Sequence, residues 1–463
     1  VTVNTNYKQS ELEYLCQNSD MHTLCIVNGE KDSDFVQMTY TMLPELKTCE
    51  RGHLKSERFP YMRNVVYVGQ EKHRGMYNTA EILLLGNNVE DDCLSELKSK
   101  VDCHDVVNMQ YTSGTTGFPK GVMLTHYNIA NNGFLTGEHM KFTADDKLCC
   151  CVPLFHCFGV VLATMNCLTH GCTQVMVERF DPLIVLASIH KERCTALYGV
   201  PTMFIAELHH PMFDLFDMSC LRTGIMAGSL CPVELMKQVE EKMYMKVTSV
   251  YGLTEAAPGM TATRIDDPFD VRCNTVGHDF EFTEVKVIDP ETGEECPVGV
   301  QGEMCNRGYN TMKGYYKNPE ATQEVFTEDG WLRTGDLGTM DASGNIFIRG
   351  RLKSMILSSS GQNIFPEELE AKLNNLPFIL ESLVIERNKK LVALVYADYE
   401  ALDSLGLNNP DNLKTIMDEN LKNLNNNVAA YEKVSKIQLY PTEFEKTPKR
   451  SIKRYLYNSI AVD

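Results

Sequence analysis

A short segment of this chain combines residue types that bind phosphate groups. Between Tyr111 and Val122, three glycines let the backbone turn its N–H groups inward, and hydroxyl side chains add hydrogen-bond donors. The segment is not a Walker A loop, because Pro119 and Gly121 stand where that loop requires a glycine and a hydroxyl. A solvated linker is the alternative, and the apolar residues on both sides argue against it. We predict an anion cradle formed by Thr112, Ser113, Gly114, Thr115, Thr116, Gly117 and Lys120, whose amine supplies positive charge.

Four further motifs follow along the chain, namely Tyr251–Glu255 (YGLTE), Trp331–Asp336 (WLRTGD), Gly350–Lys353 (GRLK) and Gly361–Glu368 (GQNIFPEE). In this order, and with the anion cradle, they resemble the motifs of the adenylate-forming enzymes. That superfamily includes acyl-CoA synthetases, luciferases and the adenylation domains of peptide synthetases. The middle of the chain looks most like medium-chain fatty acyl-CoA synthetases. The resemblance covers nearly the whole chain.

The resemblance implies that the protein binds ATP and Mg²⁺. Glu255 would hold the metal ion, Thr254 would place a hydroxyl near the α-phosphate, and Lys120 would neutralise phosphate charge. Tyr251 would provide a flat face for adenine. Asp336 would accept hydrogen bonds from the ribose, and Arg351 would reach ribose or phosphate. The other implied nucleotide contacts are Gly228, Ser229, Ser249 and Gly252. Taken singly, Glu255 could be a surface carboxylate, Asp336 a turn residue and Arg351 a strand-end cation.

An acyl pocket is implied by the same resemblance. It places His156 beside the acyl group, although a lone histidine after an apolar strand is as often a core residue. The other implied pocket residues are Val200, Met203, Ala227, Gly228 and Gly252. Glycines leave room for an alkyl chain, and no Lys or Asp recurs where an amino-acid substrate would need its ammonium group paired. A fatty or aryl acid is therefore favoured over an amino acid.

In the family, a C-terminal domain rotates about a hinge before the acyl group is transferred to CoA. The hinge falls on Lys353, and Ser360 and Gly361 would lie along the pantetheine channel. The turn that contains them has one glycine where the family usually has two. A second departure lies further on, where Ser451 replaces a lysine that bridges the attacking carboxylate and the α-phosphate. In an extended segment Lys449 and Lys453 share its face and could substitute for it. A basic segment that serves only solubility is the alternative.

Composition limits the remaining possibilities. The 463 residues include 44 Lys plus Arg and 62 Asp plus Glu, and the net charge of -18 disfavours binding to nucleic acid or anionic lipid. The seventeen cysteines include no CxxC pair, which indicates reduced core thiols in a cytoplasmic protein and disfavours zinc. An uncharged run at 148–168 could be a membrane span, but the turn residues inside it favour a strand, a turn and a buried helix.

We expect an α/β fold with a large N-terminal domain of parallel, helix-covered sheets at 1–350, which includes a β-rich subdomain at about 281–350. The predicted hinge is 351–353, and a small mobile α+β domain occupies 354–463. The first seven residues should form a strand that leads into a capped helix. The resemblance implies that about the first hundred residues of the family have no counterpart in the given sequence.

These expectations predict an ATP-dependent, AMP-forming acyl-CoA synthetase for a medium-chain or similar hydrophobic acid, with CoA as the second substrate. One alternative is a stand-alone adenylation enzyme that passes the acyl group to a carrier protein or an amine. Another is a catalytically weak nucleotide- or acyl-binding protein. A homodimer is compatible with the sequence. A panel of acids tested with ATP and Mg²⁺, with and without CoA, separates these cases.

Overall fold

The computed structural model describes residues 1–30, 33–112, 119–228, 231–357, 363–388, 390–429, 432–446 and 452–457. Within them, the strands are β1 (Thr23–Ile26), β2 (Gly29–Glu30), β3 (Ser33–Asp34), β4 (Asn64–Tyr67), β5 (Tyr77–Asn78), β6 (Val106–Thr112), β7 (Lys120–Thr125), β8 (Lys147–Cys150), β9 (Thr173–Met176), β10 (Ala196–Gly199), β11 (Thr223–Ala227), β12 (Lys246–Gly252), β13 (Gly259–Ala262), β14 (His278–Asp279), β15 (Thr283–Ile288), β16 (Gly302–Gly308), β17 (Gly314–Tyr315), β18 (Leu332–Met340), β19 (Ile346–Arg351), β20 (Ile356–Leu357), β21 (Asn363–Ile364), β22 (Ile379–Arg387), β23 (Lys390–Ala397) and β24 (Val434–Leu439).

The helices of the same ranges are α1 (Gln9–Asn18), α2 (Phe35–Met42), α3 (Thr79–Gly86), α4 (Asp91–Lys100), α5 (His126–His139), α6 (Asn166–His170), α7 (Pro182–Glu192), α8 (Pro201–Leu208), α9 (Val233–Met243), α10 (Phe269–Asn274), α11 (Pro319–Val325), α12 (Pro366–Asn374), α13 (Tyr399–Ser404) and α14 (Pro410–Asn426). A π-helical segment, Phe158–Met165, precedes α6. The alternation of strands and helices confirms the expected α/β fold.

The chain divides into two compact units. The first unit consists of 1–129, 154–157 and 312–324. It contains a parallel sheet of order β1-β4-β5 and an antiparallel sheet of order β17-β7-β6. Its core lies between α1, α2 and the parallel sheet, where Leu24, Val65 and Met42 are buried.

The second unit consists of 130–153, 158–311 and 325–463. Its largest sheet has the order β14-β13-β12-β11-β10-β8-β9. The five strands β9, β8, β10, β11 and β12 are parallel to one another. Strand β13 runs antiparallel to β12 and to β14. A four-stranded antiparallel sheet, β15-β16-β18-β19, follows along the chain, and β22-β23-β24 form a third sheet against α12 to α14.

Local sequence signals explain several helix ends. The Asp181 carboxylate accepts a hydrogen bond from the Ile184 N–H at 3.1 Å, and Pro182 occupies the first turn of α7. Pro366 opens α12 in the same way, with two acidic residues in the first turn. The uncharged run folds as expected into β8, a turn, and the π-helical segment with α6. No helix in the described ranges is long and apolar enough to cross a membrane.

The expected strand at the start of the chain is wrong. Residues 1–8 form no strand, and the predicted helix begins at Gln9. The Asn4 side chain accepts a hydrogen bond from the Asn6 N–H at 2.9 Å, and the Asn4 carbonyl accepts from the Tyr7 N–H at 3.0 Å. These short-range bonds turn the backbone, so asparagine chemistry overrides the alternation of apolar residues.

Glu207 of α8 is a buried acid in the core of the second unit. It is 1% exposed, and neither carboxylate oxygen has a hydrogen-bond partner within the described ranges. Burial raises the pKa of the Glu207 carboxyl well above its usual value, because the charged form loses its hydration. The fold therefore favours the neutral acid.

Replacement of Glu207 by Gln should change how stability depends on pH. A raised pKa in the folded state contributes stability below the unfolded-state value of about 4.5, and this contribution is lost as pH rises through the folded-state value. The unfolding free energy of the wild type, relative to that of Glu207→Gln, should therefore fall with rising pH. Urea denaturation at several pH values measures this difference in unfolding free energy. Glu241→Gln is the control, because Glu241 is exposed. A pH-independent difference would contradict the burial of a neutral acid.

Candidate active site

Several predicted site residues lie at one edge of the seven-stranded sheet. Strands β10, β11 and β12 are parallel and end at Gly199, Ala227 and Gly252. Parallel strands place their carboxyl ends at a common edge, which is where open α/β sheets bind ligands. Val200 and Gly228 directly follow two of these ends. Gly228 has a φ of +89°, and a Cβ atom there would lie 3.2 Å from Val200 Cγ1.

Asp336 is a buried carboxylate with two polar side-chain partners. Its side chain is 6% exposed. The Tyr251 hydroxyl donates to Asp336 Oδ2 at 2.7 Å, and Arg351 Nε lies 2.7 Å from Asp336 Oδ1. Burial raises the pKa of the Asp336 carboxyl, while Arg351 and the Tyr251 hydrogen bond oppose this shift. The structure therefore brings three of the predicted nucleotide residues into direct contact.

Two neighbouring strands hold this carboxylate in place. Asp336 of β18 and Arg351 of β19 face each other in the antiparallel register. Gly335 has a φ of +70°, which favours glycine, and its N–H donates to Glu303 Oε1 at 3.0 Å. Thr334 Oγ1 accepts from the Asp336 N–H at 3.0 Å. Sequence reasoning missed Glu303 and Thr334, because the motif was interpreted only through its terminal carboxylate.

Thr254 and Glu255 lie on a single helical turn, Thr254–Ala256, directly after β12. Thr254 is 3% exposed, and Glu255 is half-buried. The charge of Glu255 reaches Asp336, because it contributes to the raised pKa of that carboxyl after burial and Glu367. A carboxylate oxygen is the kind of ligand that a hard divalent cation prefers. The residues at this turn therefore fit the predicted Mg²⁺.

A close contact with the backbone requires a glycine at position 252. A Cβ atom at this position would lie 1.7 Å from the Pro258 carbonyl oxygen. The sequence analysis explained the glycine by space for an alkyl chain, whereas a close contact within the chain already requires it. The Ser249 hydroxyl is likewise engaged in the fold, since it donates to the Arg272 carbonyl oxygen at 3.0 Å. The roles of Ser249 and Gly252 in ligand binding stay predictions.

Thr112, Lys120 and His156 belong to the first unit. Thr112 ends β6 and is 7% exposed, and Lys120 begins β7 with its Nζ 4.2 Å from the centroid of the Tyr315 ring. His156 is half-buried in the turn after Pro153. Other predicted residues lie outside the described ranges, namely Ser113, Gly114, Thr115, Thr116, Gly117, Ser229, Ser360, Gly361 and Lys449.

The remaining predicted residues lie in three other elements of the second unit. Met203 is 4% exposed on α8, and Lys353 is in the short turn Leu352–Ser354 that follows Arg351. The Lys453 N–H donates to the Glu445 carbonyl at 2.8 Å, and Lys453 Nζ lies 3.4 Å from the Glu445 carboxylate. An antiparallel β-bridge joins Lys446 and Ile452, and the residues between them, which include Lys449 and Ser451, lie outside the described ranges.

Comparison with known proteins gives the class of this chain. The model of the family described as "AMP-binding enzyme" matches residues 1–316. The chain is 48% identical over 386 residues to YngI of Bacillus subtilis, which is named as an acyl-CoA synthetase; the match covers 83% of this chain and 70% of YngI. It is 36% identical over 389 residues to "Medium-chain acyl-CoA ligase ACSF2, mitochondrial" of Danio rerio, and this match covers 83% of this chain and 64% of the relative. The chain belongs to the AMP-binding enzyme family, which confirms the family inferred from its motifs.

Solved structures share the fold. An anthranilate CoA ligase, AuaEII, in complex with anthranoyl-AMP aligns with a TM-score of 0.81 at 23% identity, over 99% of this chain and 81% of that chain. ATP-bound MatB from Rhodopseudomonas palustris aligns with a TM-score of 0.75 at 23% identity, over 99% of this chain and 83% of MatB. The alignments to YngI, SID4 of Ajellomyces capsulatus and ACSF2 span 70%, 65% and 64% of those proteins.

Replacement of Asp336 by Ala should weaken ATP use far more than acid use, since the predicted hydrogen bonds of this carboxylate go to ribose. The Michaelis constant for ATP should rise while that for the acid stays near the wild-type value. Asp289→Ala is a matched control. Asp289 lies in the turn after β15, and its carboxylate accepts hydrogen bonds from the Glu291 and Thr292 N–H groups. A change confined to the acid would show that Asp336 has another role.

Proposed function

We propose that this protein activates a hydrophobic carboxylic acid with ATP and transfers the acyl group to CoA. The observation that carries the proposal is the buried Asp336 carboxylate, held by Tyr251 and Arg351 near the turn that bears Glu255. A fixed carboxylate accepts hydrogen bonds from the two neighbouring hydroxyls of a ribose. The names of the relatives YngI and ACSF2 support acyl-CoA ligation, and the name of ACSF2 supports a medium-chain fatty acid.

The reaction proceeds through two displacements. A carboxylate oxygen of the acid attacks the α-phosphorus of ATP, an O–P bond forms, and the bond to the leaving pyrophosphate breaks. The CoA thiolate then attacks the acyl carbonyl, a C–S bond forms, and AMP leaves. Both partners of the first step are anions, so the protein must reduce their repulsion and align them.

We assign the roles in this reaction as the motifs predict. Glu255 would bind Mg²⁺, which lowers the charge on the phosphates, and Thr254 would donate a hydroxyl near the α-phosphate. Tyr251 and Gly228 would bind adenine, and Asp336 and Arg351 the ribose. Lys120 and the cradle would bind the terminal phosphates. His156, Val200, Met203 and Ala227 would contact the acyl group.

Domain movement and environment are also part of the proposal. Lys353 would be the hinge between an N-terminal part at 1–350 and a C-terminal domain at 354–463, and the turn with Ser360 and Gly361 would receive CoA. We propose a cytoplasmic enzyme that could form a homodimer. A carrier protein or an amine remains the alternative acyl acceptor.

The first test is pyrophosphate release with a panel of fatty and aryl acids, ATP and Mg²⁺, with and without CoA. We expect release with medium-chain acids, and formation of acyl-CoA only when CoA is present. Turnover that does not depend on CoA would favour a carrier or an amine as acceptor. Binding of nucleotide without pyrophosphate release would favour a binding protein.

Two charge-removing variants should differ in severity. Glu255→Ala should nearly abolish adenylation, because the loss of the metal ligand removes charge compensation in the transition state. Lys120→Ala should weaken ATP use only modestly, since Mg²⁺ still screens the phosphates. Both variants are compared by pyrophosphate release. Near-wild-type rates in both would show that Glu255 does not hold the metal.

The lysine that replaces the family residue at Ser451 can be found by separating the half-reactions. If Lys449 or Lys453 bridges the acid and the α-phosphate, its replacement by Ala should slow adenylation by about tenfold to a thousandfold. Transfer from a supplied acyl adenylate to CoA should continue. Normal adenylation in both single variants and the double variant would make this segment structural.

A further inference from the structure

Two buried asparagines bind the backbone of Gly259, four residues after Glu255. Asn132 Oδ1 accepts from the Gly259 N–H at 3.0 Å, and Asn132 Nδ2 donates to the Gly259 carbonyl oxygen at 2.9 Å. Asn310 Nδ2 donates to the same carbonyl oxygen at 2.9 Å. The side chains of Asn132 and Asn310 are fully buried, with 0% exposure. Both backbone polar groups of Gly259 are therefore hydrogen-bonded to side chains that are distant in sequence.

Gly259 closes the loop that carries the proposed metal ligand. It faces Gly252 in the register of β12 and β13, so the two glycines form the base of a loop containing Thr254 and Glu255. Neither glycine tolerates a side chain. A Cβ at Gly252 would lie 1.7 Å from the Pro258 carbonyl oxygen, and one at Gly259 would lie 2.9 Å from the Phe280 ring and 3.1 Å from Asn132 Oδ1.

Only a side chain with a donor and an acceptor in one plane can make both Asn132 bonds. An amide provides this pair, as a neighbouring strand would. A carboxylate keeps the acceptor but sets a second oxygen against the Gly259 carbonyl. Asn132 belongs to α5, while Asn310 follows β16, and Asn306 Nδ2 in turn donates to Asn310 Oδ1 at 3.0 Å. The loop base is thus bonded to two elements outside its own sheet.

We propose that Asn132 and Asn310 are positioning residues that fix the loop base and thereby aim Glu255 at the divalent cation. This inference rests on the proposed function, because it takes Glu255 as the metal ligand. The two asparagines act through the backbone of Gly259. Hydrogen-bond partners that orient a metal ligand typically change metal affinity or activity by about 10- to 100-fold when they are replaced.

The test compares Asn132→Asp and Asn310→Asp with the control Asn166→Asp. Asn166 is also 0% exposed, lies in the same unit, and donates a buried hydrogen bond to the Tyr198 hydroxyl at 2.9 Å. The control therefore reports the general cost of damaging a buried amide. The first measurement is the Mg²⁺ concentration that gives half-maximal pyrophosphate release at saturating ATP and acid. We expect at least a tenfold increase for Asn132→Asp, a smaller increase for Asn310→Asp, and restored turnover at high Mg²⁺.

The second measurement does not depend on turnover. Mn²⁺ binding in the presence of ATP, followed by electron paramagnetic resonance, should weaken in the order wild type, Asn310→Asp, Asn132→Asp, while Asn166→Asp binds as the wild type does. The inference is overturned if both loop variants match Asn166→Asp in Mg²⁺ dependence and Mn²⁺ affinity. Should Asn132→Asp fail to fold, Asn310→Asp decides, because it removes a single donor to Gly259.

The two proposals fail in different ways. A wild-type protein that binds Mn²⁺ with ATP but releases no pyrophosphate contradicts the proposed function, and the order of Mn²⁺ affinities still decides the role of the asparagines. A wild type that releases pyrophosphate while every variant keeps its metal dependence supports the function and overturns the inference.

Discussion

A carboxylate removed from water constrains the whole candidate site. Burial of an unpaired ionised carboxylate costs many kcal/mol, so Asp336 can be charged in the interior only with partners on both oxygens. Tyr251 supplies one partner from β12, and Arg351 supplies the other from β19. These strands belong to different sheets, so the register of each sheet must be correct before the contact can form. The site therefore depends on long-range folding of the second unit.

The parallel sheet provides the second constraint. Its strands end together, so the short segments after β10, β11 and β12 converge even though tens of residues separate them in sequence. Each segment begins where the ladder of backbone hydrogen bonds stops, and its polar groups can therefore face a ligand. The four-stranded antiparallel sheet then contributes Asp336 from the interior of β18, where it pairs with Arg351 of β19 on one side and lies at a register shift against β16 on the other.

Sequence alone predicted the elements whose signals are local. The uncharged run at 148–168 predicted a strand, a turn and a buried helix, and the structure has them as β8, a turn and the π-helical segment with α6. The sequence did not predict the Asn132–Gly259 contact, because a hydrogen bond between residues 127 positions apart leaves no periodic pattern. The burial of Glu207 was also missed, since an acid on a helix is usually exposed. The bond of the Ser249 hydroxyl to the Arg272 carbonyl oxygen was missed for the same reason as the Asn132–Gly259 contact, since these residues lie 23 positions apart.

If Glu255 binds the cation and Asp336 binds ribose, as proposed, the charges of these two residues would link the two binding events. Burial is the main reason that the pKa of Asp336 is raised, and the neighbouring charges of Glu367 and Glu255 add to it. A divalent cation at Glu255 would cancel that repulsion and favour the ionised form of Asp336. An ionised carboxylate accepts stronger hydrogen bonds from hydroxyl groups than the neutral acid does. By linkage, ribose bound at Asp336 would then strengthen cation binding at Glu255 by the same free energy. A loop base that does not fix the position of Glu255 would therefore weaken both interactions.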